Sequence, residues 1–283
     1  IHKMTVKERH SPLLTYLEKR QRLINRALER ALPKAGVYPG VIHEAMRYAA
    51  LGEGKRIRPI LTLAACEAAG GAMEDALPAG CAVELIHAYS LVHDDLPAMD
   101  DDDLRRGRKS CHKAYGESIG VLAGDALLTL SFQILARQKR HAARWMRISE
   151  ELSRAAGTFG MIGGQVVDTH ANFDRRKETV QTYILSHKTG ALIAAAVRMG
   201  GLAAGASRQK LARLSRYGES VGLVFQLVDD LLDNDGVAKL WGKTQTKKRA
   251  QKLTHQAKEA VAPLGKRAKP LIEIADLLLS RET

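Results

Sequence analysis

Residues 93 to 106 read His-Asp-Asp-Leu-Pro-Ala-Met-Asp-Asp-Asp-Asp-Leu-Arg-Arg, and this stretch governs the reading of the whole chain. Six carboxylates fall within ten positions, Asp94 to Asp103, and Arg105 and Arg106 follow at once. An apolar helical pattern, Val83 to Val92, runs into them. That much negative charge at the end of an apolar helix repels itself and costs stability unless a cation binds there. Oxygen ligands with no neighbouring cysteine suit Mg²⁺. Taken alone, an acidic run is more often a solvated loop. A second cluster, Asp229, Asp230 and Asp233, also ends an apolar helix and shifts the balance toward a ligand.

The chain has 283 residues, enough for one large domain or two, and we expect a single helical domain over 1–283. It is 45% hydrophobic and 5% aromatic with eight prolines, a composition that suits a helical protein with a large core. No run of about 18 uncharged apolar residues occurs, so no membrane-spanning helix and no stable membrane insertion is expected. Residues 1–7, Ile-His-Lys-Met-Thr-Val-Lys, lack the apolar core of a signal peptide. Cys66, Cys81 and Cys111 are scattered and make neither a disulfide framework nor a metal pattern. A reducing, cytoplasmic setting is the expectation. The net charge of +13 raises the question of nucleic acid. Its excess lies mainly in Arg137 to Arg147 and Lys239 to Lys269, without interleaved aromatics, which fits solvated helix faces better.

Helical spacing predicts an amphipathic outer helix over Leu13–Leu32 and a second over Val41–Ala50. Leu51 to Pro59, Leu-Gly-Glu-Gly-Lys-Arg-Ile-Arg-Pro, pairs a Gly turn with Lys55, Arg56 and Arg58 at a helix start, a place that can hold a diphosphate. Apolar helices follow over Ile60–Gly70 and Ala76–Val92. His87 lies about two turns before Asp94 on a similar face, and Tyr89 about 7.5 Å back along the axis. Ile119–Leu135 reads as a buried helix in which Asp125 needs a partner. Ala142–Asp168 reads as one helix loosened by Gly160, Gly163 and Gly164, with Gln165 and Asp168 on one face near its end. Thr179–Arg198 is interrupted at Lys188-Thr189-Gly190, which predicts a bend or a ligand contact. Gln209–Leu232 carries Gln226 one turn before Asp230, and two amphipathic helices split near Pro263–Gly265 close the chain. No strand alternation of useful length occurs, so the fold expected is all-α.

Asp94-Asp95-Leu-Pro-Ala-Met-Asp100 followed by Arg105-Arg106-Gly107, with Asp229-Asp230-Leu-Leu-Asp233 later, resembles the two aspartate-rich motifs of the trans-prenyl diphosphate synthases. The flanks resemble that family too: Gly54-Lys55-Arg56-x-Arg58-Pro59, Glu84-x-x-His87, Gly164-Gln165-x-x-Asp168, Lys188-Thr189 and Phe225-Gln226. The likeness runs from about residue 10 to Lys243. Within the family, the Pro97-Ala98 insertion resembles the bacterial type, and the aromatic Tyr89 resembles farnesyl diphosphate synthases, which implies a fifteen-carbon product. Two departures stand out. Lys109 replaces a frequent proline after Arg-Arg-Gly-x, and the chain after Lys243 runs straight into Thr244-Gln-Thr-Lys-Lys-Arg, several turns shorter than the resemblance implies. A true shortening there bears on how the site closes.

The resemblance implies one large helical bundle of the isoprenoid synthase type around a deep cavity. It implies an allylic diphosphate held between the Asp clusters through Mg²⁺, about three ions, with Asp94, Asp95, Asp100, Asp229, Asp230 and Asp233 as metal ligands. Arg105, Lys188 and Lys243 are then expected on the leaving diphosphate, and Thr189 and Gln226 beside the allylic cation. Gly54, Lys55, Arg58, His87 and Arg106 are expected on isopentenyl diphosphate, and Tyr89 and Ser90 at the chain-length floor. A homodimer is expected on the same basis. Rival readings are a geranyl or geranylgeranyl diphosphate synthase, a non-catalytic partner subunit, a terpene cyclase and a basic nucleic-acid binder. The cyclase is disfavoured because Asp229-Asp230-Leu-Leu-Asp233 is not of the Asn/Asp-Ser-Glu kind.

Overall fold

The structure is a computed structural model and describes residues 11–280. The signal-peptide reading of residues 1–7 therefore lies outside the described residues. In chain order the helices are α1 (Pro12–Ala31), α2 (Gly40–Leu51), α3 (Ile57–Ala69) and α4 (Met73–Asp94). A two-stranded ribbon follows, β1 (Leu104–Arg105) and β2 (Arg108–Lys109). Then come α5 (Cys111–Tyr115), α6 (Glu117–Ala136), α7 (Ala142–Ala156), α8 (Met161–Thr169) and α9 (Glu178–Ile184). A π-turn, Leu185–Gly190, joins α9 to α10 (Ala191–Ala203), and α11 (Arg208–Asp233), α12 (Gly236–Trp241), α13 (Lys243–Val261) and α14 (Lys269–Ser280) complete the chain. The fold is all-α, as the absence of strand alternation predicts.

The inner helices are apolar nearly all round. α3 buries Ile60, Leu61, Leu63 and Cys66, and α10 buries Leu192, Ile193, Val197 and Met199. α4 packs mainly on α6 and α3, while α11 packs mainly on α13 and α10. Both α4 and α11 also lie against α10, yet they make at most marginal contact with each other. The two Asp-ended helices thus share a neighbour and leave space between themselves. One buried apolar cluster runs from Ile24 on α1 to Leu278 on α14.

Four details differ from the sequence expectation. The helix expected over Ala142–Asp168 is two helices, because Gly157 and Gly160 leave helical geometry between α7 and α8. α6 is not fully buried: Val121 is 43% and Leu122 52% exposed, so apolar residues all round the helix face solvent on one side. α6 also has the length and composition of a membrane span, and in this fold it packs on α4. The ribbon was not foreseen, since it needs left-handed backbone at both Arg106 (φ 54) and Gly107 (φ 76), the geometry of a tight hairpin turn. Finally, α13 begins at Lys243 itself, directly after Gly242 (φ 78), so the short connection is a continuous helix start.

Candidate active site

α4 delivers the first acidic segment. The chain folds back after Asp95, so that the Asp100 amide donates to the Asp94 carbonyl at 2.8 Å and the Asp101 amide to the Leu96 carbonyl at 3.1 Å. Asp94 is half-buried at the turn. Burial pushes its carboxyl up to about 6; Asp100 and Asp95 add to the rise, while Lys188 and Arg105 oppose it. Asp95 is 2% exposed and accepts from Arg105 Nε at 2.8 Å and again from Arg105 Nη2. Arg105 Nη2 also reaches Asp102 Oδ2 at 3.0 Å. Arg105 is therefore held by the acidic run itself, and one buried carboxylate is already charge-paired.

The hairpin turn sends the two arginines apart. Arg105 returns to Asp95, while Arg106 donates to the Glu53 carbonyl and lies against Gly54. A side chain at Gly54 would collide with the Arg106 guanidinium, so the glycine is there for close approach. Beside this contact opens a cavity of about 740 Å³ lined by Gly54, Lys55, Arg58, His87, Arg106 and Phe225, among others. Five expected residues, Gly54 to Arg106, thus share one hollow. Arg58 Nε is buried without a hydrogen-bond partner, an unsatisfied donor of the kind a bound anion satisfies. Burial lowers the His87 pKa well below its ordinary 6.5, and Arg58, Arg106, Arg56 and Arg105 depress it further. His87 is neutral at physiological pH and offers a donor without a charge.

α8 and the π-turn carry the next group of expected residues. Lys188 Nζ donates to Asp168 Oδ2 at 2.6 Å, and Arg175 reaches Asp168 Oδ1 at 3.1 Å. The sequence break at Lys188-Thr189-Gly190 is the π-turn, a widening often found at functional sites. Thr189 is half-buried within it. Lys188 is the strongest charge acting on Asp94, which places the π-turn beside the end of α4.

α11 carries the second acidic segment. Asp229 is half-buried, and its charge acts on Arg58; Asp233 is exposed. Asp230 differs from both: it is 7% exposed, Gln226 Nε2 donates to its Oδ1 at 3.0 Å, and the Val237 amide donates to its Oδ2 at 2.9 Å. Both Asp230 oxygens thus tie α11 to the start of α12, and Gln226 is engaged with it. Charge links the two segments through Asp229 to Arg58, Arg58 to His87, and Arg105 to both His87 and Asp94. Tyr89 is 5% exposed on α4, its ring edge-on to His93 at 5.8 Å and its hydroxyl buried without a partner. Ser90 Oγ donates back to the His87 carbonyl at 3.0 Å.

Lys243 is not brought to this cavity. It is exposed at the start of α13, in a separate hollow of about 560 Å³ with Trp241, Gln245 and Lys248. Among the described residues no three carboxylate, His or Cys groups converge as a ready-made metal nest. The donors at the two segments are oxygens only, and burial, with the Asp100 and Asp95 charges, disfavours the ionised Asp94 carboxyl, a cost that a divalent cation would offset, so the residues fit a hard metal ion. Sequence reasoning missed Gln21 and Asn25 in the cavity wall, read Arg56 as one of the cations at the helix start, and placed Glu84 only among flanking matches. A buried ion pair leaves no periodic signal in the sequence.

These features, a helical bundle with two Asp-ended helices beside a cationic hollow, define a diphosphate-handling enzyme. The chain belongs to the polyprenyl synthetase family, whose model matches residues 39–275, and is a trans-prenyl diphosphate synthase, a prenyltransferase. It is 42% identical to a dimethylallyltranstransferase of Fischerella ambigua, over 94% of this chain and 83% of that protein. It is 40% identical to a geranylgeranyl diphosphate synthase of Cyanophora paradoxa, over 95% and 96% of the two chains. An FPP/GFPP synthase structure from Zymomonas mobilis superposes with a TM-score of 0.88 at 37% identity, covering 94% of this chain and 98% of that one.

Proposed function

We propose that the chain is a farnesyl diphosphate synthase, condensing isopentenyl diphosphate with dimethylallyl and then geranyl diphosphate. The observation that carries prenyl transfer is the 740 Å³ cavity, where Lys55, Arg58, His87 and Arg106 meet beside the ends of two acidic helices. Mg²⁺, about three ions, would be held by Asp94, Asp100 and Asp229, with Asp95, Asp230 and Asp233 in support; bound there it supplies charge neutralisation for the leaving diphosphate. Lys188 and Arg105 stabilise the same departing charge. The C1–O bond of the allylic diphosphate breaks, and the electron pair leaves with the diphosphate. An apolar surrounding would keep water from the allylic cation, with the Thr189 and Gln226 dipoles beside it. The cationic cavity orients isopentenyl diphosphate, whose double bond forms the new C–C bond. A proton from its C2 then passes to the released diphosphate.

The fifteen-carbon limit rests on Tyr89, a bulky buried ring on α4 set back from Asp94. One relative is named a geranylgeranyl diphosphate synthase and another a dimethylallyltranstransferase, and a geranylgeranyl or geranyl product is the alternative. One relative is named a large subunit of a heterodimeric synthase, which keeps a partner-subunit role as the second reading. A cytoplasmic homodimer completes the proposal, with the oligomeric state to be read by light scattering. The test is product sizing after incubation with each allylic primer: a fifteen-carbon chain supports the proposal, and a twenty-carbon chain overturns the assigned length.

A further inference from the structure

The loop between α2 and α3 holds a charge that the mechanism above does not use. Arg56 is 5% exposed, and its backbone is left-handed, φ 52, a conformation unfavourable for a non-glycine residue. Something must hold it there. Its guanidinium is taken on three sides: Nε donates to Asn25 Oδ1 at 2.9 Å, Nη1 to Glu84 Oε1 at 2.9 Å, and Nη2 to the Gly52 carbonyl at 2.7 Å. One turn before Asn25, Gln21 Nε2 donates to the Gly54 carbonyl at 2.7 Å. α1 and α4 thus grip the loop from both sides, and the gripped residues flank Lys55 and precede Arg58.

Glu84 does more than pair with Arg56. Its side chain is 4% exposed, and Glu53 is the other carboxylate among the residues lining the cavity. Burial lowers the pKa of Arg58 and of Arg106, and in both the nearby charge that counters it most is Glu84. One buried carboxylate therefore balances three guanidiniums that would otherwise repel each other in a confined space. We infer that Asn25, Arg56 and Glu84 are positioning residues for the homoallylic diphosphate: they hold Lys55 and Arg58 in the geometry that binds isopentenyl diphosphate and leave the allylic side untouched. The inference rests on the reading of the 740 Å³ cavity as the isopentenyl diphosphate site.

Two physical effects oppose each other in Glu84→Gln. Losing the carboxylate makes the cavity more positive, which by charge alone tightens diphosphate binding. Losing the partner of a buried arginine frees the loop, which weakens it. The positioning role requires the second to win. The KM for isopentenyl diphosphate should rise about tenfold in Glu84→Gln, while the KM for the allylic substrate and the product length stay within about twofold. A fall in the isopentenyl diphosphate KM would overturn the inference. Should Glu84→Gln not fold, the Asn25 pair decides. Asn25→Ala removes one acceptor and should raise the same KM about threefold or more with little change in melting temperature, whereas Asn25→Asp keeps the acceptor and should restore it. A wild-type KM in Asn25→Ala, or equal rises for both substrates, would overturn the inference alone. Failure of the wild-type enzyme to condense any allylic primer would overturn the functional reading together with it.

Discussion

Lys188 Nζ stands 2.6 Å from Asp168 Oδ2, and this pair fastens the π-turn to α8 at the side of Asp94. The approach is possible because residue 164 is glycine: a Cβ there would run into the Lys188 backbone. Gly164→Ala should therefore displace Lys188 and lower kcat about tenfold or more, while Gly163→Ser, which meets the Thr158 carbonyl instead, should act on stability without that selective loss. Steady-state kinetics beside thermal melts would separate the two. A Gly164→Ala enzyme with wild-type kcat would contradict this placement of Lys188.

Asp230 and Asp229 are neighbours with different surroundings. Asp230 is held by Gln226 and the Val237 amide, so Asp230→Ala leaves a buried N–H unpaired and should cost about 1–3 kcal/mol of stability. Its effect on the Mg²⁺ concentration for half-maximal rate should be small. Asp229→Asn should do the reverse, raising that concentration about tenfold with little loss of stability. Urea unfolding and metal titration of the two variants check the contrast. A larger metal effect in Asp230→Ala than in Asp229→Asn would make Asp230, rather than Asp229, the direct metal ligand.

Tyr89 is predicted to end chain growth. Tyr89→Ala removes a buried ring on α4, and products should extend from fifteen carbons to twenty or more. Chromatography of the dephosphorylated alcohols reads the outcome. A variant that still stops at fifteen carbons would remove Tyr89 from the floor.

His87 makes the fold sensitive to acid. The unfolded chain takes up the proton at the ordinary 6.5, but burial and four arginines keep it off in the fold. Below that value the unfolded chain binds more protons, so this residue withdraws stability as pH falls through 6.5. His87→Gln removes the effect. Between pH 8 and about 5.5 the variant should lose up to about 1.4 kcal/mol less stability than the wild type, measured by urea unfolding. Parallel stability curves for the two proteins would contradict it.

Much of the bundle is legible in the sequence because periodicity and punctuation are local signals. The break at Lys188-Thr189-Gly190 marks the π-turn, and the two Asp clusters mark the ends of α4 and α11. What was not legible depends on which charge meets which. Arg105 turning back onto Asp95, and Asp230 turning onto α12, follow from tertiary approach and left no pattern in the chain. The hairpin at Arg106-Gly107 was hidden because a non-glycine residue takes left-handed backbone there. Arg56 reads in sequence as one more cation for a diphosphate and Glu84 as a flanking match, and only packing of α1 and α4 against the loop makes them a buried pair.

The central claim is that both acidic helix ends act on one metal-bound diphosphate beside the cationic cavity. The most direct measurement is incorporation of radiolabelled isopentenyl diphosphate with dimethylallyl or geranyl diphosphate and Mg²⁺, run on the wild type, Asp94→Asn and Asp229→Asn. The account predicts a condensed product from the wild type, none when the metal is chelated, and a loss of about a hundredfold or more in each variant. Undiminished incorporation in either variant, or none from the wild type with any primer, would contradict it.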